Sequence, residues 1–134
     1  MYDSVLSQYV TMMNKLLTEP RFSFSEASSK DVPEELGVYV IYDKKVEAII
    51  YVGRTKNLRR RLLGDHERGT VRGSQFRRAL QENFALKSES DITGYILENC
   101  SFQFLVIKEF EEMVRLEHFT TAILAPILNV KLKQ

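Results

Sequence analysis

The stretch that decides the fold is residues 37–61, which read GVYVIYDKKVEAIIYVGRTKNLRRR. Its two halves, Gly37 to Tyr42 and Ala48 to Val52, are rich in β-branched and aromatic residues, which favour β-strands. The polar run Asp43 to Lys45 between them supplies turn residues, so the pattern predicts an antiparallel hairpin. Asn57 then caps a helix that we expect to end at about Gly64.

Helical and strand patterns continue on both sides of this hairpin. Apolar residues at helical spacing from Tyr2 to Leu17 predict an N-terminal helix of about four turns. Residues 18–35, which include two prolines, predict a connector laid over the surface. After the hairpin the pattern predicts a helix capped by Ser74 (Gln75 to Asn83), a short helix (Asp91 to Glu98), a strand (Ser101 to Ile107) and a long helix (Glu109 to about Leu124).

These elements predict an α/β fold: a three-stranded antiparallel sheet flanked by helices, with an extra N-terminal helix. We divide the chain into residues 1–36, the N-terminal helix and connector, and residues 37–134, the main unit. The composition of 44% hydrophobic and 28% charged residues excludes a disordered or fibrous chain. A single cysteine, Cys100, excludes an internal disulfide, and the sequence contains no Cys/His cluster with zinc spacing.

The length, 134 residues, is that of one compact domain. No apolar stretch is long enough to span a bilayer, and Asp3 stands where a secretory signal would be basic. We expect an intracellular, cytoplasmic protein without a membrane partner, associated with the nucleoid if its source is bacterial or archaeal.

The charge of the chain is unevenly distributed. Between Arg54 and Arg78 nine basic residues face two acidic ones, a balance of +7, whereas the rest of the chain carries −6. Arginine outnumbers lysine in this segment, which suits bidentate contacts with phosphates. On charge alone, a solvated helical face and a nucleic-acid surface are about equally good interpretations. The candidate DNA-binding residues are Arg54, Lys56, Arg59, Arg60, Arg68, Arg72, Arg77 and Arg78.

Two further side chains stand out on their helices. Glu117 lies within the apolar face of the last helix, where an unpaired carboxylate would cost several kcal/mol. It must therefore be protonated, paired with a base or bound to a cation, and a structural ion pair and a metal site fit equally well. Arg61 borders the stripe formed by Leu58 and Leu62, so it can lean over the sheet.

A longer pattern joins these residues to the hairpin. Two tripeptides, eleven residues apart, are followed by an arginine eight residues after the second glycine, by a helical glutamate and by an asparagine: Gly37-Val-Tyr39, Tyr51-Val-Gly53, Arg61, Glu117 and Asn129. Over Gly37 to Asn129 the chain resembles the GIY-YIG nucleases, with valine replacing isoleucine in both tripeptides. Either tripeptide alone carries no information, but both at this spacing are specific.

The resemblance implies a GIY-YIG domain that cleaves the DNA backbone with a divalent metal, Mg2+ or Mn2+. It implies one active site formed by Tyr39, Tyr51, Arg61, Glu117 and Asn129. In that site Glu117 would hold the metal, Arg61 would stabilise the phosphate, and one of the two tyrosines, which the sequence does not distinguish, would assist the attacking water. Asn129 would hydrogen-bond the loop near the hairpin rather than touch the substrate.

One departure from the family pattern concerns a histidine. Many GIY-YIG proteins carry histidine four residues after the arginine, where this chain has Asp65, and His66 comes one residue later. A shift of one residue turns a helical side chain by about 100°, which would carry His66 out of the site unless the helix has unwound at Gly64. His66 therefore enters as a secondary candidate.

Two other functions remain open at this point. A nucleic-acid-binding module that does not cleave could keep the same fold and arginines, although Tyr39, Tyr51, Arg61 and Glu117 are all present. A nuclease subunit could instead depend on a partner, because only residues 1–36 lie outside the resemblance at the N-terminal side. Specificity would then come from a protein partner or a homo-oligomer.

Overall fold

The structure is a computed structural model that describes residues 1–129. In chain order it contains α1 (Asp3–Thr18), β1 (Phe22–Ser23), a 3-10 turn (Ser29–Asp31), β2 (Gly37–Asp43), β3 (Ala48–Thr55), a π-helical segment (Arg60–His66), α2 (Gln75–Phe84), α3 (Glu89–Asn99), β4 (Cys100–Val106) and α4 (Phe110–Leu124).

The sheet is antiparallel throughout, with strand order β1-β4-β2-β3. The predicted hairpin is confirmed as β2 and β3, and β4 is the expected third strand. The sheet also has a fourth strand, the two-residue β1, which pairs Phe22 with Phe102 on β4. The expected α/β fold with an added N-terminal helix is therefore confirmed, with one short strand more than predicted.

The two faces of the sheet bury separate apolar clusters. One face carries Val38, Val40 and Val52, which pack with side chains of α1 and α4 such as Leu16 and Leu116. The other face packs with the π-helical segment, α2 and α3 in a larger cluster that includes Tyr39, Ile41, Tyr51, Phe102, Leu62, Phe76 and Ile92. The tyrosines of both tripeptides therefore lie on the second face.

The segment expected to run over the surface contributes to the core, so that expectation is wrong. Phe24 and Val32 are 1% and 0% exposed. The ring of Phe24 lies 4.9 Å from that of Phe102 on β4, centroid to centroid. Burying two large apolar side chains favours this path, although the neighbouring residues are polar.

The helix after β3 differs from the expectation at its end. Helical residues run over 58–68, and Arg60–His66 form π-helical turns, so Gly64 does not terminate the helix. In a π-helix the hydrogen bond closes at the fifth residue rather than the fourth. Residues five apart are therefore brought towards the same face of the helix.

The remaining helix boundaries agree with the sequence to within a few residues. Ser74 caps α2, as predicted, since its hydroxyl accepts a hydrogen bond from the Arg77 backbone N–H at 3.1 Å. At the end of α4, Ala125 adopts the left-handed conformation with φ 43°, and Pro126 follows it. This turn leads the chain back towards β3.

Candidate active site

Gly53, the glycine of the second tripeptide, leaves room for the side chain of Tyr39 from the neighbouring strand. Tyr39 on β2 is the register partner of Gly53 on β3. Its phenol lies where a Cβ on Gly53 would stand, so any other residue at this position would collide with the ring. Gly37 is restricted in the same way by the Leu105 backbone and the Leu58 side chain.

A β-bulge turns the second tyrosine towards the first. The register between β2 and β3 shifts by one residue, because Ile41 pairs with Tyr51 whereas Tyr42 pairs with Ile49. Ile50 is the extra residue, and both Ile50 and Tyr51 belong to the same buried cluster. The rings of Tyr39 and Tyr51 lie 6.3 Å apart, centroid to centroid.

His66 lies between these tyrosines, contrary to the expectation that one residue of shift would remove it. Its Nε2 atom is 2.5 Å from the Tyr39 hydroxyl, and its Nδ1 atom is 2.8 Å from the Ser74 hydroxyl. The ring contacts Phe76 at 5.3 Å between centroids and is 1% exposed as a residue. The π-helical turn brings it there, because it returns the fifth residue after Arg61 to the face that Arg61 occupies.

Burial governs the protonation of these three rings. It lowers the pKa of His66 to about 3, with further lowering by the guanidinium groups of Arg61 and Arg77. It raises the pKa of Tyr39 well above its usual value and raises that of Tyr51, while Arg61 opposes both shifts. At neutral pH the histidine is therefore neutral and both phenols hold their protons.

The charged part of the site comes from three different elements. Glu117 on α4 pairs through Oε1 with the Arg54 guanidinium at 2.8 Å and accepts a hydrogen bond from Thr121 at 3.1 Å. The side chains of Arg54 and Glu117 are 39% and 13% exposed. Arg61 lies 3.6 Å from Asp65, and its buried Nε has no hydrogen-bond partner among the described residues.

Asn129 binds the outer edge of β3. Its side chain accepts a hydrogen bond from the Val52 backbone N–H at 2.7 Å and donates one to the Val52 carbonyl at 2.8 Å. Val52 lies between Tyr51 and Gly53, so Asn129 acts on the backbone beside the site.

All five residues that the resemblance placed together line one pocket of about 420 Å3. His66 lines it too, with Arg54 from the expected DNA-binding set. The full lining is Tyr39, Tyr51, Val52, Gly53, Arg54, Arg61, His66, Gln75, Glu117, Thr121 and Asn129. The sequence did not indicate Gln75 or Thr121, and it indicated Ser74 only as a helix cap.

The residues of the basic segment differ in their exposure to solvent. Arg54, Lys56, Arg60, Arg68, Arg72 and Arg78 are exposed. Arg59 is partly exposed, and its guanidinium is bound to the Glu34 carboxylate at 2.6 Å and the Val32 carbonyl at 2.8 Å.

Arg77 is fully buried and is not available to DNA, so its expected place on the binding surface is wrong. Its guanidinium donates to the carbonyls of His66 and Glu67 at 3.1 and 3.0 Å. It also binds the Glu89 carboxylate at 3.0 Å and the Thr93 hydroxyl at 2.9 Å. Arg77 therefore ties the end of the helix that carries His66 to the start of α3.

A family comparison agrees with this geometry. The model of the GIY-YIG catalytic domain matches residues 35–119, more than half of the chain. The chain belongs to the GIY-YIG family. The resemblance read from the two tripeptides is confirmed, and so is the expectation of a GIY-YIG enzyme.

The structure is similar to the GIY-YIG N-terminal endonuclease domain of UvrC from Thermotoga maritima. With that domain bound to magnesium, its catalytic divalent cation, the sequence identity is 25% and the TM-score 0.44, over 74% of this chain and 88% of that one. Two point mutants of the same domain give 24% and 23% identity, each with a TM-score of 0.45 over 75% of this chain and 88% of that one. No curated protein matches the sequence.

Two absences hold for residues 1–129, the part of the chain that the structure describes. No cluster of three or more His, Cys, Asp or Glu side chains could hold a metal ion. None of the helices in this range is both long enough and apolar enough to cross a membrane.

Proposed function

We propose that this GIY-YIG protein is a metal-dependent endonuclease that hydrolyses phosphodiester bonds in DNA. The observation that carries the proposal is the pocket itself, where two phenols, a guanidinium and a carboxylate converge beside a basic surface. Hydrolysis of a phosphodiester needs an aligned water and cationic groups where negative charge grows. The pocket offers residues for each of these tasks.

Arg61 is the residue best suited to bind the scissile phosphate. Its Nε is buried and lies 3.6 Å from the Asp65 carboxylate, too far for a hydrogen bond, so it lacks a hydrogen-bond partner within residues 1–129. A buried donor without a partner is unfavourable, so an oxygen acceptor entering the pocket would relieve it. A guanidinium presents several donors in one plane, which matches two oxygens of a phosphate.

Glu117 is the residue that would hold the metal. It is the acidic side chain that lines the pocket. Its carboxylate accepts hydrogen bonds from Arg54 and Thr121 and lies 3.5 Å from His118 Nε2, which leaves acceptor sites free for a metal. Mg2+ suits such a site, because it commonly binds one or two carboxylates and keeps waters and substrate phosphates as its other ligands. Mn2+ accepts the same oxygen ligands. When bound, the metal would stabilise charge on the phosphate oxygens.

The two tyrosines differ in what they can do. The Tyr39 hydroxyl is bonded to His66, whereas the Tyr51 hydroxyl makes no hydrogen bond to any described residue. Tyr51 is therefore free to orient a water in the pocket. Both phenols keep their protons at neutral pH, so either one can also donate a hydrogen bond to a phosphate oxygen.

The exposed arginines of the segment from Arg54 to Arg78 would hold the DNA backbone. Arg54 lines the pocket, and Arg78 is close enough to Tyr51 for its charge to oppose the rise in the phenol pKa that burial causes. Arg72 is exposed on the same segment, and Arg60 and Arg68 line a different pocket, so these three would contact DNA only beyond the active-site pocket. Phosphate contacts of this kind provide affinity without reading a base sequence.

The experiment is a cleavage assay on labelled DNA and RNA duplexes, flaps and junctions, with and without Mg2+. Cleavage of DNA that requires Mg2+ and is lost in Arg61→Lys supports the proposal, since lysine keeps the charge but loses the planar donors. We expect turnover to fall on the order of a hundredfold while DNA affinity changes little. DNA binding with no cleavage under any condition would refute it and indicate a binding module or a subunit that needs a partner.

A further inference from the structure

The Ser74 hydroxyl has two neighbours, and they limit the direction of its hydrogen bonds. The Arg77 backbone N–H can only donate, so Oγ accepts at that contact of 3.1 Å. The second neighbour is Nδ1 of His66 at 2.8 Å. Ser74 is fully buried, and no other hydrogen bond of its hydroxyl is present among the described residues.

The imidazole of His66 can adopt two tautomers between Ser74 and Tyr39. Because burial and nearby arginines lower the pKa of His66 to about 3, the ring carries one N–H at neutral pH. If Nδ1 carried that proton, it would donate to Ser74, and the serine proton would be left buried without an acceptor. If Nε2 carries it, the serine donates to Nδ1 and Nε2–H donates to the Tyr39 oxygen. The remaining unpaired proton is then that of Tyr39, which lines the pocket and can bind water or substrate there, rather than that of the buried Ser74.

We propose that Ser74 is a positioning residue that holds His66 as the Nε2–H tautomer, so that the Tyr39 oxygen accepts from His66 and the Tyr39 proton faces the pocket. His66 then cannot take a proton from Tyr39. Tyr39 then exchanges its proton only with the pocket. It either donates a hydrogen bond to a substrate oxygen, or it releases its proton to solvent and remains as a phenolate that accepts a hydrogen bond from Nε2–H of His66. This assignment deepens the proposed function and rests on it for its catalytic consequence.

The tautomer can be measured without DNA or metal. The 15N spectrum of the protein labelled in its histidine rings distinguishes the protonated nitrogen from the bare one, and His118→Gln identifies the signals of the second histidine. We expect the Nε2–H form of His66 to predominate at neutral pH. A predominant Nδ1–H form would overturn the inference even if the protein cleaves DNA, whereas a protein that cleaves nothing can still show the expected tautomer.

Two substitutions of equal size separate the direction of the hydrogen bond from its mere presence. Ser74→Asn and Ser74→Asp both place an oxygen that can cap the Arg77 N–H. Asparagine can also donate to Nδ1, so the Nε2–H form and kcat should stay within about threefold of wild type. Aspartate only accepts, so Nδ1 should gain the proton, and kcat should fall about tenfold or more while KM changes little.

Smaller substitutions keep the inference testable if the larger ones do not fit the buried position. Ser74→Thr retains the hydroxyl and should preserve the tautomer and kcat. Ser74→Ala removes the hydroxyl, so the Nε2–H form should no longer predominate and kcat should fall. Equal losses of kcat in Ser74→Asn and Ser74→Asp, or full kcat in Ser74→Ala with a changed tautomer, would overturn the assignment.

Discussion

Deletion of Gly64 tests whether the π-helical turn is what carries His66 to Tyr39. A regular α-helix turns by about 100° per residue, so residues five apart stand about 140° from each other and residues four apart about 40°. Removing one residue shortens the step from Arg61 to the histidine from five to four. The chain could then form a regular α-helix with the histidine on the same face. Gly64 has no side chain and a Cβ there would meet nothing within 4 Å, so the deletion removes no side-chain contact of this residue itself.

The size of the effect follows from the helix geometry. A rotation of about 100° moves a Cα on a helix of radius about 2.3 Å by roughly 3.5 Å. The bond between Tyr39 and His66 is 2.5 Å long, and a displacement of that size would break it. Insertion of an alanine after Gly64, the matched control, adds such a rotation, so it should lower kcat on the order of a hundredfold, to the level of His66→Gln. The deletion keeps the histidine on the face of Arg61, so the deletion variant should keep kcat within about tenfold of wild type.

The assay is single-turnover cleavage at saturating DNA in Mg2+, with thermal melts of each protein. Similar melting temperatures with activity retained only by the deletion variant would support the reasoning. A deletion variant that folds as well as wild type but is as inactive as the insertion would refute it.

Three further predictions concern charge and stability. Glu117→Gln should abolish cleavage in Mg2+ yet change the free energy of unfolding in chelator by less than about 1 kcal/mol, because its partner Arg54 is 39% exposed; urea titrations measure this. Arg77→Met should lower the free energy of unfolding by about 3 kcal/mol in the same titration and leave the salt dependence of DNA binding unchanged. Arg60→Ala should instead reduce the slope of log affinity against log salt by about 0.9. The pKa of His66 is about 3 in the folded protein and about 6.5 in the unfolded chain, so between these pH values the unfolded chain binds one proton more. The free energy of unfolding should therefore fall by up to about 1.4 kcal/mol for each pH unit below 6.5. The substitution His66→Gln should remove that part of the pH dependence.

Local patterns account for the parts of this fold that the sequence predicted. The hairpin follows from two β-branched runs around a polar turn, and α2 starts at Ser74 because a serine oxygen satisfies a free backbone N–H. Arg61 reaches the pocket because it borders the stripe that Leu58 and Leu62 bury. In each case the residues that determine the structure are neighbours in sequence.

The errors have a common cause in contacts between distant segments. Phe24 and Val32 lie in a polar stretch, and only packing against the rest of the core reveals that they are buried. The carbonyls that bind Arg77 come from the end of one helix and the start of another, so its burial leaves no local signal. The π-helical segment likewise places the His66 ring between Tyr39 and Ser74, and both of these partners lie outside its own helix.

The contact between Asn129 and Val52 also has a consequence for solubility. β3 is an outer strand of the sheet, and outer strands expose backbone groups that can pair with other chains and lead to aggregation. Leu128 donates its backbone N–H to the Ile50 carbonyl at 3.0 Å, and the Asn129 amide satisfies both backbone groups of Val52. The segment after α4 thus covers the strand that carries Tyr51. The asparagine beside the active site also protects the sheet from self-association.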